Sequence, residues 1–186
     1  ILATGGPAMV SAAYSSGTPA LGVGAGNAVI TVDETANLDD AAEKIRISKT
    51  LDLAASCSAD NSVIAVASVY EPLLEKLIAQ GGYVIQPGDE QKIANVLWKD
   101  GNLNPKAVAQ APQLLCQMAG IDIPEDRLFM IIPITGVGPD QPFSGEKMSI
   151  IMALYQVENI DEAVALTNEI QAYQGTGHSC GIYSNN

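Results

Sequence analysis

Basic residues are scarce in this sequence of 186 residues: Lys and Arg together number 9, against 21 Asp and Glu, for a formal net charge of −12. Such an acidic chain has little attraction for polyanions, which excludes nucleic acid and anionic membrane surfaces as partners. Long apolar runs are missing too, because no stretch reaches the ~18 residues that span a bilayer. No charged segment precedes an apolar signal sequence either. We therefore expect a cytoplasmic protein.

Cysteine, histidine and aromatic residues are also few. The 3 Cys stand at wide spacings, which makes no disulfide framework, and a single His without a CxxC pair argues against a metal site. Aromatic residues make up only 5% of the chain, while 47% of it is hydrophobic. A chain of this length can bury one sizeable core, and its composition favours an α/β domain over an aromatic-rich sandwich.

Apolar strands and amphipathic helices alternate along most of the chain. The strands are rich in β-branched residues, and the helices carry apolar residues at helical spacing after capping residues such as Asn37 and Asn159. This alternation predicts an α/β fold of three layers, in which a largely parallel sheet is covered by helices. The predicted strands include 28–34, 62–68, 127–134, 147–157 and 178–184, and the predicted helices include 37–50, 70–82, 89–99, 104–120 and 160–173.

Cys57 is the first candidate for chemistry, because it follows a predicted helix and has polar neighbours in "SCSADN" (56–61). Buried structural cysteines usually have apolar neighbours, so these surroundings predict a loop. Two interpretations stay open from the residues alone: a nucleophilic thiol, or an ordinary small residue in a tight turn. Cys116 and Cys180, which fall in a predicted helix and a predicted strand, are interpreted as structural filler.

Two other stretches and one histidine are further candidates for a functional role. The first stretch, "GVGAGN" (22–27), lacks the GxGxxG spacing and precedes a strand, so it predicts a close backbone approach rather than a phosphate site. The second, "TGVGPDQPFSGEKMS" (135–149), is a polar loop between strands that is either a site loop or a solvated turn. It contains Glu146. His178 can reach Cys57 only through the fold, and a structural role for it also stays open.

Several stretches, taken in order, resemble a known family. "ILATGG.AMV.AAYSSGTPALGVGAGN", "DETANLDDAAEKI..SKT", "SCSADNSV", "PFSGEKMS" and "GTGHSCGIYSNN" are similar to the CoA-acylating branch of the aldehyde dehydrogenase superfamily, above all to sulfoacetaldehyde dehydrogenase-like members. The resemblance covers nearly the whole chain. Leu51, Leu53 and Ile150 depart from the Phe, Asn and Pro that the family often has at these positions.

The resemblance implies an enzyme that uses NAD or NADP and converts an aldehyde to an acyl-CoA. Cys57 falls where the family has its catalytic thiol, Glu146 where a glutamate holds the nicotinamide ribose, and His178 at a histidine that aids thiol transfer to coenzyme A. Hydrolytic relatives carry a water-activating glutamate where this chain has Gly22. A hydrolytic aldehyde dehydrogenase and a non-catalytic folding or oligomerisation module remain the alternatives.

The resemblance also implies a division of the chain into two parts. Residues 1–25 correspond to the tail end of a nucleotide-binding domain, and residues 26–186 to the thiol-bearing catalytic domain. Because most of the nucleotide-binding domain would precede "ILATGG", we expect this chain to be a piece of a longer protein and to be inactive on its own. The whole protein is expected to be a homo-oligomer.

Overall fold

The computed structural model describes residues 1–24 and 26–186. Ala25, which closes the leading segment of residues 1–25 in the expected division, lies outside them. The leading segment contains strand β1 (Leu2–Thr4), helix α1 (Pro7–Tyr14) and strand β2 (Leu21–Val23). The two strands pair with each other in parallel and form a separate two-stranded sheet.

The remaining elements alternate as the sequence predicts. The strands are β3 (Val29–Val32), β4 (Ser62–Val66), β5 (Gly82–Val84), β6 (Trp98–Lys99), β7 (Asn102–Leu103), β8 (Phe129–Pro133), β9 (Ile151–Val157) and β10 (Cys180–Tyr183). The helices are α2 (Leu38–Thr50), α3 (Ala67–Ala79), α4 (Glu90–Leu97), α5 (Pro112–Ala119) and α6 (Ile160–Tyr173). Short 3-10 turns occur at Leu51–Ala54 and Pro142–Ser144.

Six of these strands form one sheet in the order β10-β3-β4-β9-β8-β5. Every neighbouring pair is parallel, as the apolar strands predict. All residues of the central strand β4 are buried, so both faces of the sheet are covered there. Helices α2 and α3 pack against each other, and α6 packs against β3, β4 and β9. The predicted α/β class and the largely parallel sheet are therefore confirmed.

Two helix starts have the predicted caps. The Asn37 side-chain oxygen accepts a hydrogen bond from the Asp40 N–H at 3.2 Å, and the Asn159 oxygen accepts one from Glu162 at 3.0 Å. The Glu162 carboxylate in turn accepts the Glu158 N–H at 3.0 Å. The two asparagine contacts each satisfy an N–H group of the first helical turn, which has no partner within its helix.

The structure corrects several element boundaries. The stretch 104–120 is predicted to be helical in two pieces or with a kink at Pro112, but helix α5 begins only at Pro112, because proline lacks the N–H that an interior helical position needs and suits a first turn. Strand β9 begins at Ile151 rather than 147, and β6 and β7 form an antiparallel hairpin that the sequence did not indicate. Among the described residues, none of the helices has the length and apolar character needed to cross a bilayer.

The two cysteines interpreted as structural filler differ in their burial. Cys116 is buried, and its sulfur lies 3.4 Å from the Met130 sulfur. Burial raises the pKa of the Cys116 thiol to about 11, so this thiol is inert. Cys180, in contrast, is exposed, because β10 is an edge strand of the sheet.

Loss of the α6 cap should measurably weaken the fold. We expect Asn159→Ala to lower the free energy of unfolding by about 1 kcal/mol, since the Glu162 N–H loses its acceptor. Asn168→Ala is the matched control, because Asn168 is exposed in the interior of the same helix and alanine favours that position. Urea denaturation compares the two, and equal stabilities would refute the role of the cap.

Candidate active site

The three residues singled out in the sequence lie at one edge of the sheet. Cys57 lies in the connection before β4, Glu146 in the connection before β9, and His178 two residues before β10. Because all strands run in parallel, these connections meet at the amino edge of the sheet. Open α/β sheets more often bind ligands at the carboxyl edge. Here the amino edge is the candidate site, because the three residues cluster there.

Cys57 lies in an exposed turn, as its polar neighbours predict. Between α2 and this turn, Asp52, Leu53 and Ala54 have φ angles of 49°, 53° and 59°. Non-glycine residues rarely adopt this left-handed conformation, and three in succession are unusual. Such backbone strain is found preferentially at functional sites. The strained segment therefore marks the turn that presents the thiol.

Gly26 is the point at which the three candidate residues meet. Its backbone N–H donates a hydrogen bond to the Glu146 carboxylate. A Cβ atom on Gly26 would lie 2.7 Å from His178 Nε2 and 3.0 Å from the Cys57 carbonyl oxygen, so only glycine fits. This is the close backbone approach that the sequence indicates for "GVGAGN". On the other side of the His178 ring, the Ser179 hydroxyl lies 3.1 Å from Nδ1.

Two buried asparagines tie the loops of this edge together, and the sequence analysis missed both. Asn61 Nδ2 donates to Asn27 Oδ1 at 2.6 Å and to the Gly145 carbonyl at 2.8 Å. Asn27 Nδ2 donates to the Ser144 carbonyl at 2.9 Å. The amides therefore connect the segments that precede β3, β4 and β9. The available signal was their position at the ends of two stretches already singled out, "GVGAGN" for Asn27 and "SCSADN" for Asn61.

The buried side chain of Lys147 stabilises the loop that contains Glu146. It is 0% exposed, and its Nζ donates to the carbonyls of Phe143 at 2.5 Å and Gly145 at 3.1 Å. Burial holds the pKa of the Lys147 ammonium well below its usual range, and the nearby Lys49 cation acts in the same direction. Burial also raises the pKa of Glu146, against the opposing effects of the Gly26 N–H and the two lysines.

A small cavity with room for about one water molecule lies behind the thiol. It is lined by Cys57, Asn61, Glu146, Met148 and a further residue that the sequence analysis missed, Lys49. Lys49 follows Leu38, Ala41, Ala42 and Ile45 at helical spacing, and this pattern was the available signal that its side chain is buried.

Two ionisable groups near this cavity are affected by burial. Lys49 is only 1% exposed, and burial lowers its pKa to about 7 although the carboxylates of Asp60 and Glu146 oppose this shift. Burial raises the pKa of Asp60 to about 6, against the effects of a Ser48 hydrogen bond and of Lys49. In the part of the chain that the structure describes, no three His, Cys, Asp or Glu side chains converge as a metal site requires.

Alanine at position 26 should disrupt this arrangement. We expect Gly26→Ala to lower the free energy of unfolding by about 1–3 kcal/mol, because the His178 ring and the Cys57 carbonyl must both move away from the new methyl group. Gly24→Ala is the control, since a Cβ at Gly24 meets nothing within 4 Å. Urea denaturation of both variants measures the difference, and an unaffected Gly26→Ala protein would contradict the close approach.

Two curated relatives match nearly the whole chain. The acylating sulfoacetaldehyde dehydrogenase of Cupriavidus necator is 39% identical over 188 residues, which cover 100% of this chain and 38% of that protein. The aldehyde-alcohol dehydrogenase of Clostridium acetobutylicum is 39% identical over 183 residues, covering 98% of this chain and 21% of that protein. This chain thus spans about a fifth to two fifths of the length of these relatives. No protein-family model matches the chain.

Solved structures agree with this result. The acetylating aldehyde dehydrogenase of Geobacillus thermoglucosidasius has a TM-score of 0.97 and 41% identity, covering 100% of this chain and 41% of that one. The propionaldehyde dehydrogenase of Rhodopseudomonas palustris, solved with bound CoA and an acylated cysteine, has a TM-score of 0.88 and 31% identity, with coverages of 100% and 42%. An engineered glycolyl-CoA reductase with bound NADP+ has a TM-score of 0.89 and 32% identity, with the same coverages. The chain is therefore homologous to acylating aldehyde dehydrogenases and corresponds, over its whole length, to part of these longer proteins.

Proposed function

We propose that the protein built on this chain oxidises an aldehyde to an acyl-CoA with NAD or NADP, and catalyses the reverse reaction, through a thioester on Cys57. The observation that carries the proposal is the exposed Cys57 thiol in a strained turn, with His178 and Glu146 held against the same glycine. Homology to acylating aldehyde dehydrogenases, one of which was solved with an acylated cysteine, supports it.

In this proposal Cys57 supplies the nucleophile. Its thiolate attacks the aldehyde carbonyl and forms a carbon–sulfur bond, which gives a hemithioacetal. Loss of hydride from that carbon and of the hydroxyl proton to solvent leaves a thioester on Cys57, and NAD or NADP, when bound, would supply the hydride acceptor. The thiol of coenzyme A then attacks the thioester carbonyl, and the Cys57 thiolate leaves. The small aldehyde is released as its acyl-CoA.

The neighbouring side chains fit the remaining roles. The Glu146 carboxylate is half-buried and fixed by the Gly26 N–H, so it can hold a ribose hydroxyl of the cofactor. The imidazole of His178 is half-buried with its Nε2 beside Gly26, and in this proposal it accepts the proton of the incoming coenzyme A thiol. Gly22, where hydrolytic relatives carry a glutamate, offers no base for water, which favours the thiol as acceptor.

The leading segment fits a neighbouring domain in the whole protein. Within the described residues, β1 and β2 pair only with each other, and Leu2 and Leu21 expose 81% and 72% of their surface. We assign residues 1–25 to a nucleotide-binding domain on this basis. In the proposal, dinucleotide-dependent turnover needs that domain, whereas acylation of Cys57 by an activated ester does not.

Acylation by p-nitrophenyl acetate tests the nucleophile without any nicotinamide. We expect a burst of p-nitrophenolate and an acetyl group on the Cys57 peptide, because the thiolate displaces the phenolate. Cys57→Ala should abolish both, while Cys180→Ala, which removes the other exposed thiol, should retain them. Peptide mass spectrometry locates the acetyl group, and its presence on another residue alone would refute the assignment. Release as acetyl-CoA rather than acetate on adding coenzyme A separates the acylating from the hydrolytic reaction.

Replacement of His178 should separate the two half-reactions. We expect His178→Ala to form acetyl-Cys57 at a nearly unchanged rate but to transfer the acetyl group to coenzyme A about 100-fold more slowly, because the thiol loses its proton acceptor. Ser179→Ala, which keeps the imidazole, is the control. Stopped-flow and quenched mass spectrometry follow both steps, and equal transfer rates would contradict this role of His178.

A further inference from the structure

Lys49 is a buried cation that the reaction steps above leave unused. It lies in the last turn of α2, three residues before the strained segment Asp52–Ala54, and lines the same small cavity as Cys57. The rest of the buried face of α2 is made of Ala41, Ala42 and Ile45. An apolar residue at position 49 would continue that face. The chain has a buried amine at this position instead.

No direct ion pair neutralises Lys49. Within residues 1–24 and 26–186, four pairs have N···O distances of 4.0 Å or less, and none of them includes Lys49. The carboxylates of Asp60 and Glu146 act on it from longer distances, and the Lys147 cation opposes them. Lys147 itself donates to two backbone carbonyls, whereas Lys49 is one of the residues that line the same cavity as Cys57.

Burial of an ammonium group without a close counter-ion costs stability. The lowered pKa of Lys49, at about 7, expresses that cost. An anion formed inside the cavity would offset it, because opposite charges interact strongly where water is scarce. The Cys57 thiol is the one group lining the cavity that becomes an anion during the proposed reaction.

We propose that Lys49 is a positioning residue whose ammonium group stabilises the thiolate of Cys57. This inference rests on the proposed function, since it assigns Lys49 to the nucleophile of that reaction. In the step itself one proton leaves Sγ, either for solvent or for the neutral Lys49 amine, and no electrons are transferred. The thiolate in turn favours the charged form of Lys49, so the two groups titrate as a coupled pair. Asp60, Glu146 and Lys147 are the other charged groups that face them.

The pH dependence of Cys57 alkylation by iodoacetamide tests this role without aldehyde, nicotinamide or coenzyme A. Peptide mass spectrometry separates Cys57 from Cys180, and Cys116 is buried. We expect wild-type Cys57 to be alkylated faster at pH 7 than Cys180, the other exposed thiol. Lys49→Met should slow the alkylation of Cys57 at pH 7 about tenfold, because less thiolate is present.

Two further variants control for charge and for packing. Lys44→Met removes the same charge from the same helix, but Lys44 is exposed and paired with Asp40, so the alkylation profile should not change. Lys49→Arg keeps the cation and should restore a profile close to the wild type. A purely structural lysine would affect unfolding but would not shift the titration of the thiol.

Each result bears on Lys49 separately from the proposed function. A Lys49→Met profile that superimposes on the wild type would overturn the inference. So would a wild-type Cys57 that is alkylated no faster at pH 7 than the exposed Cys180, a comparison that needs no variant to fold. If the alkylation of Cys57 depends on Lys49 but no acyl group forms, the proposed function fails and the role of Lys49 stands. If acyl-Cys57 forms and the alkylation does not depend on Lys49, only the present inference fails.

Discussion

The side-chain bridge between Asn61 and Asn27 is the interaction on which the candidate site depends. It lies in the interior, where the Ser144 carbonyl would otherwise be buried without a donor, at a cost of about 1–3 kcal/mol, and where the Gly145 carbonyl accepts from both Asn61 and Lys147. By satisfying them, the two amides fix the spacing of three connections that are far apart in sequence. The Cys57 turn, the Gly26 backbone and the Glu146 loop are all neighbours of this bridge. The sheet positions the loops, and the asparagine bridge fixes the spacing between them.

Charge is distributed unevenly between the surface of the protein and this edge of the sheet. The chain has only 9 basic residues and a net charge of −12, yet Lys49 and Lys147 are both fully buried here. They lie close to Asp60 and Glu146, whose pKa values are raised by burial. Ionisable groups with shifted pKa values cluster at functional sites because proton transfer and charge stabilisation need them. Two lysines of this acidic protein are therefore buried at the same edge of the sheet as the Cys57 turn.

Backbone strain marks the same place. Asp52, Leu53 and Ala54 approach the Cys57 turn in left-handed conformation, and Met148, which lines the cavity, has a φ of 42°. The fold tolerates this strain because the turn is anchored on both sides, by α2 and by the fully buried strand β4. The consequence is an exposed thiol on a rigid support. That combination is what attack on a small carbonyl compound requires.

The sequence by itself determined the α/β class, the parallel sheet and the loop position of Cys57, because apolar periodicity, capping residues and polar neighbours are local properties. It also identified Glu146 and His178 as candidates, through their resemblance to a family rather than through any contact. Only the tertiary structure decided that these residues meet at Gly26, that Cys180 is exposed and that Lys49, Asn27 and Asn61 are buried at the site. Burial and close contact depend on packing between segments that are 34 to 117 residues apart in the sequence. No local sequence pattern encodes that packing.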